Sequence, residues 1–396
     1  MEKLKAEQFD LVIAETFDVC GMGFSHYIQP NATILISSMD IVGVQHDEIG
    51  VVQALSHNPS TFAASLNVHS IADRFWNLYA EWMIRLAMGA IRPLTDAMLK
   101  ERFGADYPDV MEIASHAAFA FTNVDPLLGF ATPTLSKVID IAGIAVKEPK
   151  PLDKFWLEIV ERRERTVLIS FGSLAQSRNL KPAAKDALLE TIAAFPDVTF
   201  IWKYEDPKDE FGKGQAASHD NLVLAKWMPQ NDLLTFVTHA GMGSVQETAR
   251  SGTPGIFIPL LGDQTRNALM MKERGLGKLV DKRHIYDSSV LIAALKEVLG
   301  DESLHQRCKR MAQVLARKPF HAKELLMKHV EFAAEFGPFE SLRPASFGMS
   351  TVELYNLDIL LIAFIATVIV FSVTLYTAKR ELGKVIKIVT VKEKTS

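Results

Sequence analysis

The chain has 396 residues, 48% of them apolar, and a formal net charge of −4. That length allows two domains of ordinary size, and the small acidic balance, with no basic stripe interleaved with aromatics, argues against a nucleic-acid partner. Two cysteines, Cys20 and Cys308, exclude a disulfide framework and match no short metal-ligand spacing.

The first ten residues, MEKLKAEQFD, contain no apolar core of the kind a secretory signal carries. Phe9–Ala14 (FDLVIA) and Ala32–Ser37 (ATILIS) read as buried strands. Asn31-Ala32-Thr33 is a sequon for N-glycosylation, whereas Pro59 disqualifies Asn58-Pro59-Ser60. Residues 71–103 have helical spacing rich in aromatics, Leu and Met. Trp76, Tyr79 and Trp82 are expected in a core, or else lining an apolar cleft. Val146–Asp153 (VKEPKPLD) reads as a linker.

Beyond the linker the rhythm is regular. Strands are expected at 166–170, 198–203, 222–227, 236–238 and 256–259, with a helix over 182–195. Strands alternating with helices predict a doubly wound parallel sheet, whose ligands sit outside the C-terminal strand ends.

Four clusters fall at those ends. Phe171-Gly172-Ser173 offers a glycine for close backbone approach to a phosphate, and a hydroxyl donor in Ser173; the same pair also suits an ordinary turn. Trp227-Met228-Pro229-Gln230 offers an indole face for a base and an amide for ribose, unless the tryptophan is a core residue. The run Thr238-His239-Ala240-Gly241-Met242-Gly243-Ser244-Val245-Gln246-Glu247 is strand, small-residue turn, then helix. Amides and dipole at that helix start suit an anion, with His239 and Ser244 adding donors and Glu247 placed for ribose hydroxyls. Asp263-Gln264 brings acceptors and a donor together, which is the chemistry of sugar recognition. Gly241–Gln246 departs from a dinucleotide fingerprint at Gln246, and no GxSxG occurs, so dehydrogenase and serine-hydrolase readings fall away.

The C-terminal signal is a membrane one. Ile359–Ala378 is an uncharged stretch of about 20 residues, enough for a helix to cross a bilayer. The basic tail after it (Lys379, Arg380, Lys384, Lys387, Lys392, Lys394) predicts a cytoplasmic end and a lumenal or extracellular body. The terminal KEKTS resembles a dilysine retrieval signal of the endoplasmic reticulum.

Taken together, His239, Gly241, Ser244, Glu247, Pro254, Pro259, Asp263 and Gln264 resemble in spacing the signature of the UDP-glucuronosyl/UDP-glucosyltransferases (glycosyltransferase family 1), above all invertebrate members. The resemblance extends to Leu342-Arg343-Pro344 and Tyr355-Asn356-Leu357-Asp358. It implies an α/β GT-B fold: two Rossmann-like domains facing a cleft, the N-terminal one incomplete, plus one C-terminal transmembrane helix. Residues 1–146 would be a partial acceptor-binding domain, 147–153 a linker and 154–345 the UDP-sugar domain. Residues 357–378 would be the span and 379–396 a cytoplasmic tail. The implied activity is metal-independent, inverting transfer of glucuronate or glucose from a UDP-sugar to small lipophilic acceptors. UDP-sugar is the co-substrate and no other cofactor is expected. The implied location is the endoplasmic reticulum membrane, single-pass with the body lumenal; association with itself or other transferases is compatible with it. By the same resemblance Trp227 stacks on uracil, and Gln230 and Glu247 meet the ribose. Ser173, His239, Gly241 and Ser244 hold the diphosphate, and Asp263 and Gln264 the donor sugar.

Three departures from the family accompany these expectations. The chain starts after the segment that carries the family's histidine base, and Glu15 stands where the carboxylate orienting that base is expected; His26 is not given the base role. Only five residues separate Gln230 from Phe236, fewer than a parallel crossover normally takes. Met242 and Gly243 replace the larger or amide residues of some relatives, and Gly255 stands where an apolar residue is usual, without removing the donor site. The first two departures leave an alternative reading, a catalytically inactive UDP-binding or regulatory paralogue.

Overall fold

The computed structural model describes residues 2–61, 63, 67–146, 151–173, 175–228 and 236–393. Residues up to Arg343 form one compact unit and Pro344–Ser396 a second.

The first unit holds two parallel sheets. The first comprises β1 (Leu11–Glu15), β2 (Ala32–Ser37), β3 (Phe119–Thr122) and β4 (Val138–Asp140), paired in chain order. Helices α1 (Val19–Ile28), α2 (Ile71–Gly89), α3 (Ile91–Phe103) and α4 (Val110–Ser115) fall between these strands. The second sheet comprises β5 (Arg165–Ser170), β6 (Val198–Lys203), β7 (Leu222–Ala225), β8 (Phe236–Thr238), β9 (Gly255–Phe257) and β10 (Gly277–Leu279). Its order, β10-β9-β8-β5-β6-β7, reverses direction between β5 and β8. Such a reversal leaves a crevice at the C-terminal ends of the two central strands. The accompanying helices are α5 (Pro182–Ala193), α6 (Met242–Ser251), α7 (Gln264–Glu273), α8 (Ser288–Gly300), α9 (Glu302–Ala316) and α10 (Ala322–Phe336).

Alternation of side chains along each strand explains the layers. In β5, Val167 and Ile169 enter the large core built with α5 and α8, while Leu168 points to the opposite face beside Trp156, Ile159 and Ile201. In β2, Leu35 faces Met22, Leu99 and Val110, whereas Ile34 faces the other way. A sheet wound in chain order carries its crossover helices on one face. The opposite face of the first sheet is covered by α10, whose Ala333 packs with Ile34, Phe119 and Phe121. The segment expected to belong with the second sheet up to residue 345 therefore includes a helix that completes the first sheet's core.

Two other expectations change. β7 ends at Ala225, so Trp227 lies two residues beyond the strand and is 71% exposed. Trp76, Tyr79 and Trp82 on α2 are exposed, not core; the inward face of that helix carries Asn77, Glu81 and Ile84. Gln230 and the short link that follows it lie outside the described residues.

Arginines of the second-sheet half tie it to loops of the first. Arg266, 2% exposed, pairs with Asp40 at 2.6 Å and donates to Pro59 O (3.0 Å) and Asn58 Oδ1 (3.1 Å). Its guanidinium also lies over the Phe130 ring. Arg250 and Lys318 both reach the buried Asp125, at 3.3 and 3.0 Å. Arg274 donates to Leu128 O and Gly129 O.

In the second unit, α11 (Leu357–Glu393) is a single helix. Its stretch Leu357–Lys384 is long and apolar enough to cross a membrane. The helix continues beyond residue 378, where the span was expected to give way to a tail.

Removing one member of a buried ion pair strands the other charge, at a cost of roughly 3 kcal/mol. Arg266→Met should therefore lower the melting temperature by several degrees in scanning calorimetry of the detergent-solubilised chain. Arg283→Ala, which breaks only the exposed Arg283–Asp281 pair, should leave it unchanged.

Candidate functional site

The crevice between β5 and β8 gathers most of the candidate residues. After β5 the chain turns through Phe171-Gly172-Ser173, with Gly172 at φ +85° and Ser173 exposed. After β8 it turns through His239-Ala240-Gly241 and enters α6. The two turns touch through one side chain. A Cβ on Gly172 would fall 2.6 Å from the His239 ring, and a Cβ on Gly241 would fall 2.5 Å from His239 Nε2. The imidazole thus occupies a slot that only two glycines leave open. Ala240 takes φ +63°, an uncommon conformation for a residue with a side chain, and is fully buried. Non-glycine residues held there are often part of a functional turn.

The slot also fixes the charge state. Burial, helped by the nearby Lys203 ammonium and opposed by the Ser170 backbone, pushes His239 down to about 4. At neutral pH the ring is uncharged and keeps one N–H donor. Its Nδ1 lies 3.3 Å from Thr238 Oγ1.

Lys203 was not singled out from the sequence. It ends β6 and donates to Gly172 O at 2.7 Å, placing a cation beside the crevice. Its position at the C-terminal end of β6, the strand paired with β5, was the available signal, since ligands in such sheets sit outside the C-terminal strand ends at the switch point.

α6 starts at Met242 with Gly241 as its cap residue, so the free amides of its first turn face the crevice. Ser244 lies in that turn, almost buried. Glu247 follows one turn on, partly exposed, beside a cavity of about 380 Å³ shared with Ala142, Gly143 and Arg250.

The Asp263-Gln264 pair divides its work. The Gln264 amide oxygen accepts from Leu260 N (2.8 Å) and Leu261 N (3.0 Å), and its side chain is buried. Only its amide nitrogen is left to face a ligand. Asp263 Oδ2 accepts from Asn267 Nδ2 at 2.5 Å. Burial raises the Asp263 carboxyl above its usual range, with Asn267 opposing the shift. Asn267 Nδ2 also donates to Ala240 O at 3.1 Å. This second unforeseen residue joins the histidine turn to the aspartate.

Two candidates stand apart. Trp227 follows β7, three strand spacings or about 14 Å from the axis of β8. Glu15 ends β1 of the other sheet. One of its oxygens accepts from Phe17 N at 2.6 Å, while the other is buried without a partner.

This architecture has solved counterparts. The glycotransferase of kitacinnamycin matches with a TM-score of 0.55 at 17% identity, over 83% of this chain and 76% of that one. A UDP-glucosyltransferase from Polygonum tinctorium matches with a TM-score of 0.56 at 15% identity and the same coverage. Likeness at this level establishes the fold, and the fold is GT-B. The family model described as UDP-glucoronosyl and UDP-glucosyl transferase matches residues 1–395, and the chain belongs to that family. A Caenorhabditis elegans protein named as a UDP-glucuronosyltransferase, ugt-48, is 31% identical over 387 residues, covering 94% of this chain and 72% of that protein. Human UDP-glucuronosyltransferase 1A10 is 27% identical over 406 residues, covering 97% and 72%. Membership carries sugar transfer from a UDP-sugar to an acceptor as the family's activity.

Two predictions follow from the slot. Gly172→Ala forces a side chain into a left-handed position and onto the imidazole. It should cost roughly 1–2 kcal/mol in chemical denaturation from the backbone alone, and it should weaken nucleotide binding. The second concerns pH. A histidine whose folded pKa of about 4 lies below the unfolded 6.5 takes up its proton on unfolding anywhere between those values. Its contribution to stability is intact above 6.5 and is lost as pH falls toward 4. His239→Gln should therefore make unfolding free energy fall less steeply over that window.

Proposed function

We propose that this protein transfers glucuronate or glucose from its UDP conjugate to hydroxyl groups of small lipophilic molecules, with inversion at the anomeric carbon. The observation that carries this reading is the wedge of neutral His239 between Gly172 and Gly241, directly ahead of the α6 N-terminus. Such a site supplies backbone amides, a helix dipole and a neutral N–H donor where a diphosphate needs them.

In this reading the diphosphate lies at the start of α6 between His239, Ser244 and Ser173, with the Lys203 ammonium nearby. Trp227 covers the uracil, and Glu247, with Gln230, takes the ribose hydroxyls. Asp263 and the Gln264 amide nitrogen take hydroxyls of the sugar. The acceptor oxygen attacks C1 as the C1–O bond to phosphate breaks; a general base receives the acceptor proton and UDP departs with the bonding pair. Negative charge then grows on the diphosphate, where the α6 amides and His239 stabilise it. Glu15 takes the place of the carboxylate that orients the base. The uncharged stretch Ile359–Ala378 of α11 anchors the chain in the endoplasmic reticulum membrane, with the basic flank of Lys379, Arg380 and Lys384 on the cytoplasmic side and the body lumenal. No metal or further cofactor enters this scheme.

The test uses the full chain in microsomes or detergent, with UDP titrated calorimetrically and conjugates assayed against a phenol panel. Loss of one charge-assisted hydrogen bond, worth about 1.5–3 kcal/mol, should make His239→Ala bind UDP roughly ten- to a hundredfold more weakly. Wild-type chain that binds UDP but forms no conjugate with either donor would replace transfer by the inactive, UDP-binding reading. Absence of UDP binding would sink both.

A further inference from the structure

Helix α2 is inside out for a soluble protein. Every exposed residue along it is apolar, including Ile71, Phe75, Trp76, Tyr79, Trp82 and Leu86. The apolar face continues on α3 through Ile91, Leu94 and Met98. The polar residues of α2 are turned inward and used. Asn77, 1% exposed, accepts from Ser60 N at 2.7 Å and donates to Leu55 O (2.8 Å) and Asn58 O (2.9 Å). Glu81, 1% exposed, pairs with Arg85, which also holds Asp47 at 2.7 Å. Asp73 receives the Asn67 N–H, and Arg74 donates to Val68 O at 2.5 Å. These bonds fix the roll of the helix, so the aromatic face cannot turn inward without stranding them.

We propose that the outer face of α2 and α3 lies in the head-group region of a lipid bilayer. Three observations select lipid over another protein. Protein interfaces are on the whole about as apolar as ordinary surface, with a polar rim. The exposed residues of α2 carry no charge along a helix of about 28 Å. Trp76, Tyr79 and Trp82 on one face are the residue types that favour the membrane–water boundary. And the same chain contains Leu357–Lys384, which brings it to a bilayer; the inference rests on reading that helix as a span. Lipophilic acceptors concentrate at such a surface, so this docking would hold the first-sheet half where they are found.

Tryptophan placement makes the test clean. All five tryptophans lie before Arg343 and none in α11. Trp156 and Trp202 are buried, Trp227 is exposed on the second-sheet half, and Trp76 and Trp82 are on α2. The full chain is reconstituted into phosphatidylcholine vesicles with and without bromine at the upper acyl positions, and emission is compared. The expected result is quenching by the brominated lipid that disappears in the Trp76→Phe/Trp82→Phe double variant and persists in Trp227→Phe. Equal emission in both vesicles, from chain that resists carbonate extraction, would overturn the docking while leaving the span intact; coverage of α2 by a second copy or another protein would give that result. Quenching that survives in the double variant would also overturn it. Chain released from the vesicles by carbonate would refute the span reading itself.

Discussion

Parallel pairing of β5 with β8 is the constraint on which the site depends. The strands come from segments far apart in the chain, and their pairing in one register brings Ser170 opposite Thr238. The residues after each strand are then forced together. Two backbones at that spacing leave room for one imidazole only if neither neighbour carries a Cβ, which is why Gly172 and Gly241 flank His239. The same crowding desolvates the ring and keeps it neutral. Geometry and protonation state therefore have a single origin. The positive φ of Ala240 belongs to it as well, since the turn must clear the ring before α6 begins.

The first turns of α7 connect this site to the rest of the unit. Gln264 closes the loop before the helix, and Asp263 faces the crevice held by Asn267. Asn267 reaches back to the histidine turn, and Arg266 reaches outward to Asp40, Asn58 and Pro59. Four of the five positions from Asp263 to Asn267 thus carry a loop cap, a candidate sugar ligand, an inter-sheet clamp and a brace. A shift of this helix would disturb the donor-side carboxylate and the contact with the first sheet together.

The first-sheet half solves a different problem. A four-stranded sheet wound in chain order needs cover on its second face, and α10 provides it after the chain has completed the second sheet. Polar groups are also buried here at some cost. Burial pushes Glu48 up to about 7 even though Arg92 lies 2.8 Å away, and pushes His46 down to about 4. On α2 itself the buried Asn77 and Glu81 make the inward face polar, and this fixes which face of that helix is left outside.

The sequence by itself determined the elements that depend on local pattern. β2, β6 and β8 fall at their expected boundaries, the apolar C-terminal helix is present, and the His239–Gln264 run sits on strand, turn and helix as its spacing implied. Only the tertiary structure decided which neighbours these elements meet. The contact of Gly172 with His239, the entry of Lys203 and Asn267 into the site, and the commitment of the Gln264 oxygen to its own loop all depend on partners distant in sequence or on the path of a turn. The aromatic stripe of α2 shows the same limit. Periodicity reveals that a helix has an apolar face, but its direction is set by whatever competes for the other face. Here buried hydrogen bonds to Asn77 and Glu81 hold the polar side in and the tryptophans out.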